Sequence, residues 1–534
     1  MLVKKLFLIA SILVLVSCAS VEKQNHLIEK KISIKKINQD IGFVQKKINR
    51  LHPSADWYIS HEALSFKFDS LKKTIQAPLK PNELFMKLSP IVASVRQGHM
   101  SMQPLIKKLN KQESKLLSKK GTGPLSQFDF VWHDQKMYIK KNNSSDSTIL
   151  KGSRVISINN TKPEELFSKY VKTFTSDGFN QTFYAHRFQK TFNQYFTLEH
   201  GIQDSLNYVL EYQNNQSTKV VYRKKNKVEQ KAKDSISSNI IQPKNKIALK
   251  TKKDSIREVR KQKLMYGYDS NTNKFVKSLS FHEKDSTVAI LKLMNFSQGN
   301  YRMAFATIFE EIENNQVKTL ILDLRNNPGG RINDAEEIYA YLATEPFQFL
   351  QRTKVTSRTS VAYNSFRGTP NVLLAFISPF IPIVSTLLYF KTTKDDDGNT
   401  YFKLKNENLK QPKVNHFKGK VYVLINGGSF SASCILSANL KGSQRAIFVG
   451  EETGGTFNGT VAGRMPVFKT PHAKLPIRMG LMDIRTTYQL DNHDRGVYPD
   501  EEINPTLEDK INDVDPEMHW VLEDIGILQK TSEH

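Results

Sequence analysis

The sequence predicts a multidomain α/β protein in which an N-terminal helical domain and a small β domain precede an α/β domain. Three observations predict it. The chain has 534 residues, more than a single hydrophobic core usually organises. Apolar residues recur at helical spacing early on, at Ile41, Val44, Ile48 and Leu51 and again at Leu84, Leu88, Ile91 and Val92. From Val288 onward apolar strand-like runs alternate with amphipathic helices, the pattern of right-handed parallel βαβ crossovers.

The chain opens with Lys4 and Lys5, an apolar run from Leu6 to Val16, and then Ser17-Cys18. A charged start followed by a run too short to span a bilayer is a secretory signal, residues 1–17. The small residue before the cysteine resembles the bacterial lipobox. That resemblance implies cleavage before Cys18, lipid attachment to its thiol, and a place at the cell envelope on the periplasmic or outer-membrane face. Cys434 would then be the only free thiol, so no intrachain disulfide is expected.

Residues 18–120 read as the helical domain, with Pro90 expected to kink its second periodic stretch. It ends in Arg96-Gln97-Gly98-His99-Met100-Ser101, where a glycine breaks the helix just before a histidine. From 121 to 225 the pattern changes to β-type runs, Phe128 to Trp132 and Lys136 to Ile139, then Gly152, the strand Arg154 to Ile158, a polar turn and a helix near Glu164 to Tyr170. This order resembles the PDZ module, which captures extended peptides by strand addition. Residues 226–275 are basic and Ser/Asn/Gln-rich and read as a flexible insertion, with attraction to anionic lipid headgroups as the functional alternative.

Residues 276–525 form the α/β domain. Phe305, Ile308, Phe309 and Ile312 mark one face of a helix, Leu320 to Leu322 begin a buried strand, and a helix follows near Asp334 to Leu342. An insertion at about 355–415 interrupts the pattern. It resumes with the strand Val421 to Ile425, a helix from Ser431 to Leu440 and the strand Ala446 to Val449. Within the insertion, Val372 to Phe390 is apolar and uncharged, but Pro379 and Pro382 argue against a regular spanning helix. Three readings stay open: a broken hairpin that caps the active site, an interfacial membrane contact, or a true span.

The net charge is +26, yet the lysines are scattered, and no zinc-ligand set, helix-turn-helix pattern or RNA-binding signature accompanies them, which argues against nucleic acid as a partner. No metal or cofactor is expected.

Two loops could carry chemistry. Asp323-Leu324-Arg325-Asn326-Asn327-Pro328-Gly329-Gly330 follows an apolar strand directly, where parallel sheets present loops to ligands. Its glycines allow amide donors to converge, as a tetrahedral oxyanion requires. Asn426-Gly427-Gly428-Ser429-Phe430-Ser431-Ala432-Ser433-Cys434 follows the next core strand, and a serine at a helix start sits in a positive dipole that favours developing alkoxide charge. Alone, such a serine is more often a helix cap.

These two loops, with Val449-Gly450-Glu451-Glu452-Thr453-Gly454-Gly455 and Gly496-Val497-Tyr498-Pro499-Asp500, stand in the order seen in the carboxyl-terminal processing (tail-specific) serine proteases, which the chain resembles most closely over about 285–345 and 418–510. The resemblance implies a ClpP/crotonase-like catalytic domain acting on polypeptides. It puts the nucleophile at Ser431, leaving Ser429 and Ser433 to be excluded, and the oxyanion donors at the amides of Gly329 or Gly330 and Ala432. The best-known members take a lysine as base where this chain has Thr456, and no lysine occurs between Lys441 and Lys469. A second branch, similar to the tricorn core protease, takes an upstream histidine and a downstream acid. His99 resembles that histidine, with Gln97 in place of the usual acid beside it, and a near-neutral pKa suits a general base. Asp494, or alternatively Asp491, would be the orienting acid. A catalytically inactive, peptide-binding envelope lipoprotein is the alternative function.

Overall fold

The computed structural model describes residues 21–225, 252–491 and 494–528. The expected signal sequence, Cys18 and residues 226–251 of the basic segment lie outside the described residues.

The N-terminal region is helical: α1 (Val21–Glu29), α2 (Ile34–Leu51), α3 (His61–Thr74), α4 (Pro81–Ala93) and, beyond the short strand β1 (Ser101–Met102), α5 (Lys111–Lys119). In α2, Ile37, Ile41, Val44, Ile48 and Leu51 are all buried, the single stripe that the apolar spacing foretold. Pro81 opens α4, where its missing N–H is no loss.

An antiparallel sheet follows, built in chain order from β2 (Phe128–His133), β3 (Lys136–Asn142), β4 (Arg154–Ile158), β5 (Ser205–Tyr212) and β6 (Asn215–Tyr222). Between β4 and β5 lie α6 (Pro163–Val171) and a long helix, α7 (Thr182–His200), that the sequence reading did not anticipate. Six of the 19 residues of α7 are Phe or Tyr and three are Thr, which are indifferent helix formers. It is held instead by packing, with Phe188, Phe192 and Phe196 buried at four-residue intervals and edge-on ring contacts from Trp132 and Phe130. Gln189 on α7 accepts the outward N–H of Trp132 at 3.0 Å, so α7 covers the β2 edge that a peptide would need for strand addition.

The flexible insertion expected at 226–275 is corrected at its C-terminal end. Lys252–Tyr266 forms α8, and β7 (Tyr268–Asp269) and β8 (Lys274–Phe275) make a small hairpin. The carbonyls of Leu264 and Met265 accept the Asn300 N–H, which fastens the end of α8 to the catalytic region.

That region is a six-stranded sheet of β9 (Lys277–Phe281), β10 (Val288–Leu293), β11 (Thr319–Asp323), β15 (Lys420–Ile425), β16 (Ile447–Gly450) and β21 (Glu501–Glu502), with β9 alone antiparallel. All five residues of β11 and five of the six in β15 are buried, the near-continuous apolar run that a sheet covered on both faces demands. Leu320, Leu322 and Val423 face the core shared with the crossover helices α10 (Ile332–Leu342) and α14 (Ala432–Gly442), whereas Ile321, Tyr422 and Leu424 pack with Val521 of the C-terminal helix α16 (Pro516–Asp524). The remaining crossover helix, α9 (Tyr301–Asn314), buries the foretold Phe305, Ile308, Phe309 and Ile312.

The interruption between β11 and β15 contributes β12 (Thr353–Val355), α11 (Arg358–Asn364), α12 (Asn371–Ile377), α13 (Ile381–Phe390), β13 (Thr392–Lys394) and β14 (Thr400–Phe402). These strands join β20 (Met482–Arg485) and β17 (Gly459–Ala462) in a second antiparallel sheet. Val372 to Phe390 forms one helical segment with a 3-10 turn at Ser378–Phe380, in place of a hairpin. A third sheet joins β1 to β19 (Pro476–Arg478) and β18 (Val467–Lys469). It is the sheet that brings the N-terminal region to the catalytic one. The short α15 (Leu507–Asn512) completes the chain before α16.

Candidate active site

β11 and β15 are neighbours in parallel register, Leu322 opposite Val423 and Asp323 opposite Leu424. Their C-terminal ends therefore release the two glycine-rich loops side by side. Several bonds bind one loop to the other. Phe430 N–H donates to the Asn327 carbonyl at 2.9 Å, Asn326 N–H to Asn426 Oδ1 at 2.8 Å, and Ser429 Oγ to the Leu324 carbonyl at 2.8 Å. At the base of the first loop, Asp323 and Arg325 pair, and Arg325 reaches Asp515 and Glu517 at the start of α16.

Ser431 sits immediately before α14 with φ 58° and ψ −123°, a region that a side chain bearing Cβ resists at a cost of about 1–3 kcal/mol. Ser429 and Ser433 are fully buried, and neither contacts a histidine: Ser429 is spent on Leu324, and the Ser433 hydroxyl has no hydrogen-bond partner among the described residues. Ser431 Oγ lies 2.9 Å from His99 Nε2.

His99 reaches that position because the segment after α4 is clamped from several sides. Arg96 turns with φ 54°. A Cβ on Gly98 would stand 2.4 Å from Phe430 Cζ, so only glycine allows the histidine so close to the nucleophile loop. The His99 ring lies against Phe430, 5.2 Å between centroids, and Phe430 stacks in turn on Phe183 at 4.7 Å. Two residues later Ser101 pairs with Arg478 in β19. Burial, and then the Arg478 charge, depress the imidazole pKa to about 3. The ring is therefore neutral at pH 7, the form that accepts a proton.

The acid expected beside this histidine is not where the sequence placed it. His99 makes no hydrogen bond or ion pair with Asp494 or Asp491; the Asp494 carbonyl instead accepts the Phe179 N–H at 2.8 Å. The acid next to the His99 segment is Asp177, which the sequence reading passed over. Its Oδ1 accepts the Gly98 N–H at 2.7 Å and the Thr460 hydroxyl at 3.1 Å, and its Oδ2 is buried without a partner among the described residues. Burial raises its pKa to about 7 against the pull of those two donors. Nothing marked Asp177 in advance, because its partners lie 79 and 283 positions away.

Of the expected oxyanion donors, the Gly329 N–H is already given to Asn327 Oδ1 at 2.9 Å. The Gly330 and Ala432 amides have no such partner among the described residues. Gly329 has φ +87°, and a Cβ there would stand 2.7 Å from the Ala432 nitrogen, so the two loops touch where the donors converge. Thr456, at the position of the missing lysine, gives its hydroxyl to the Gly459 carbonyl at 2.6 Å. Glu451 and Glu452 staple neighbouring loops. Glu451 accepts from Gly427 N–H at 2.8 Å and contacts His186 at 3.1 Å, and Glu452 accepts from Gly496 N–H at 2.6 Å and pairs with Arg495.

Comparison with known proteins adds to this geometry. Peptidase family S41 matches residues 287–503. Among solved structures, mature CPAF has a similar fold, with a TM-score of 0.56 at 13% identity over 93% of this chain and 99% of that one. Mature CPAF complexed with lactacystin gives 0.57 at 14% identity, covering 92% and 98%. The photosystem II D1 C-terminal processing protease gives 0.39 at 13% identity, covering 89% and 96%. No curated protein matches the chain in sequence.

Proposed function

We propose that the chain is an active serine endopeptidase of family S41, whose pattern matches residues 287–503, with Ser431 as nucleophile and His99 as general base. The observation that carries this reading is the 2.9 Å contact between Ser431 Oγ and His99 Nε2, made between a strained serine and a neutral imidazole brought from another region of the chain.

In the proposed reaction Ser431 Oγ attacks a peptide carbonyl carbon as its proton passes to His99 Nε2. The carbonyl oxygen becomes an oxyanion held by the Gly330 and Ala432 amides at the dipole end of α14. The C–N bond then breaks, His99 returns the proton to the leaving amine, and an acyl-enzyme remains. Water, deprotonated by His99, hydrolyses the ester and restores Ser431. A cleft of about 830 Å³ is lined by Asn426 and Glu451 together with Trp132 and His133 on β2, so it adjoins the loop that carries Ser431 and could receive part of an extended polypeptide. Cleavage near polypeptide C-termini accords with the tail-specific resemblance. Attachment to the envelope through a lipid on Cys18 accords with the lipobox-like start.

The test is cleavage of an unstructured polypeptide by the purified protein beside Ser431→Ala and His99→Ala, together with labelling of Ser431 by a fluorophosphonate. Loss of both cleavage and labelling in Ser431→Ala is expected, and full activity in that variant would sink the proposal. CPAF has been crystallised with lactacystin, which makes that compound the first to try for protecting Ser431 from the probe. A second reading, peptide binding without cleavage, is favoured by one observation: His99 lacks a carboxylate partner among the described residues. Peptide binding with no label on Ser431 would establish it.

A further inference from the structure

The helical segment Asn371–Phe390 is 20 residues long with a mean hydropathy of 2.1, yet only 11% of it is buried. Core helices of this composition are mostly enclosed. Here Val372, Leu373, Phe376, Phe380, Ile383, Leu387 and Phe390 are each more than half exposed. They recur at three- and four-residue intervals and form one apolar stripe along the segment, the face that a helix lying in a membrane surface buries.

The charges nearest the segment are basic. Arg352, Lys354, Arg358, Arg367, Lys391 and Lys394 flank it, and the nearest acidic residues, Asp395, Asp396 and Asp397, follow in the turn after β13. Tyrosines, which favour the membrane–water boundary, stand at its ends, Tyr363 before it and Tyr389 at its close. An apolar helix with basic residues before and after it complements an anionic lipid surface, in which hydrocarbon takes the apolar side chains and headgroups take the nearest charges.

Both ends of the segment are tied to the same domain. The Arg367 carbonyl accepts the Val467 N–H at 2.9 Å, Ser385 Oγ donates to the Ala362 carbonyl at 3.1 Å, Leu388 is buried, and Thr392 enters the second antiparallel sheet opposite Phe402. A single crossing would put those ends on opposite sides of a bilayer. The segment can lie in a membrane surface but cannot traverse it without unfolding its own attachments.

We propose that Asn371–Phe390 is a monotopic docking element that inserts its exposed apolar side chains into one leaflet of an anionic bilayer. It holds the peptidase domain against that surface independently of any lipid on Cys18.

The experiment uses the full chain carrying Cys18→Ser, in which Cys434 is buried and an added cysteine is the accessible thiol. An environment-sensitive dye is placed on Phe380→Cys and, as a control, on Val414→Cys, which is fully exposed and outside the segment. With vesicles of phosphatidylcholine and phosphatidylglycerol, the dye at 380 is expected to shift to the blue and brighten several-fold, while the dye at 414 is unchanged. The surface triple variant Phe376→Ser/Leu387→Ser/Phe390→Ser is expected to abolish the shift at 380. Arg367→Glu/Lys391→Glu is expected to weaken it on anionic vesicles by at least about tenfold. An unchanged dye at 380, a response identical in the triple variant, or a shift that needs no vesicles and grows with protein concentration would each overturn the proposal. The last of these would assign the surface to a second copy of the chain.

Discussion

At the scale of single residues, the φ of 58° at Ser431 and the missing room at Gly98 make separable predictions. Ser431→Ala and Ser431→Gly both remove the hydroxyl, and each is expected to lower kcat by roughly 10⁴-fold or more. They should differ in stability, because only glycine accepts the backbone conformation without strain. Ser431→Gly is expected to exceed Ser431→Ala by about 1 kcal/mol in denaturant unfolding. Equal stabilities would show that the loop relaxes once the hydroxyl is gone. Gly98→Ala introduces a methyl against Phe430 and is expected to cost about 1–3 kcal/mol while moving His99 away from Ser431. Its peptidase activity should fall further than its stability explains, which fluorophosphonate labelling at a temperature where the variant is folded would reveal. Ser431 and His99 could be singled out in the sequence only because the segments around them resemble family motifs, and the fold brings their side chains together. Asp177 could not, because a carboxylate in a polar loop looks solvated until the fold buries it.

At the scale of elements, the strands and crossover helices of the catalytic sheet were legible because burial on both faces leaves uninterrupted apolar runs. Thr319–Asp323 and Lys420–Ile425 extend the expected strands by a residue or two. What periodicity could not show is how the β9 edge is joined to the helix that follows the oxyanion loop. Lys277 on β9 and Asp334 in the first turn of α10 face each other at 3.8 Å with neither side chain exposed, and Arg331 bridges to Asp334 at 2.8 Å. Burial lowers the Lys277 pKa to about 8, opposed by the Asp334 charge. Removing one partner leaves the other charge stranded, so Asp334→Ala is expected to destabilise the protein by about 3–5 kcal/mol. Lys277→Met/Asp334→Leu should recover much of that loss, which chemical denaturation of the two variants would test. The α7 helix was likewise hidden, since its aromatic residues acquire a helical conformation only by packing on β2.

At the scale of the whole molecule, the proposed nucleophile and base, Ser431 and His99, belong to different regions, and the segment 173–182 sets one against the other. The Gly178 N–H donates to the Arg96 carbonyl at 2.9 Å and the Asp177 carboxylate takes the Gly98 N–H, which fixes the base side. Ser176 Oγ donates to the Gly454 carbonyl at 3.1 Å, Asn180 Nδ2 to the Thr453 carbonyl at 2.7 Å, and Thr182 Oγ1 to the Glu452 carbonyl at 3.1 Å, which fixes the side of the nucleophile. This strap makes activity and stability depend on pH in distinguishable ways. His99 has a folded pKa below its usual 6.5, so the stability it contributes is full above pH 6.5 and is lost as pH falls toward about 3. Asp177 has a raised folded pKa, so its contribution is full below its usual value of 3.8 and is lost as pH rises through about 7. Between pH 5 and 8 the two effects oppose each other: His99 is neutral in the folded protein but takes up a proton when unfolded below pH 6.5, so its contribution grows up to that pH, while the Asp177 contribution falls as pH rises through about 7. Asp177→Asn, whose amide cannot ionise, is therefore expected to lose less stability than the parent when denaturant midpoints at pH 8 are compared with those at pH 5. The acid limb of kcat/KM, which reports the free enzyme's base, is expected well below pH 6.5 in the parent. A limb at 6.5 or above would mean that a carboxylate closes on His99 in solution, and a pH effect on stability equal in parent and Asp177→Asn would remove Asp177 from the strap's alkaline response.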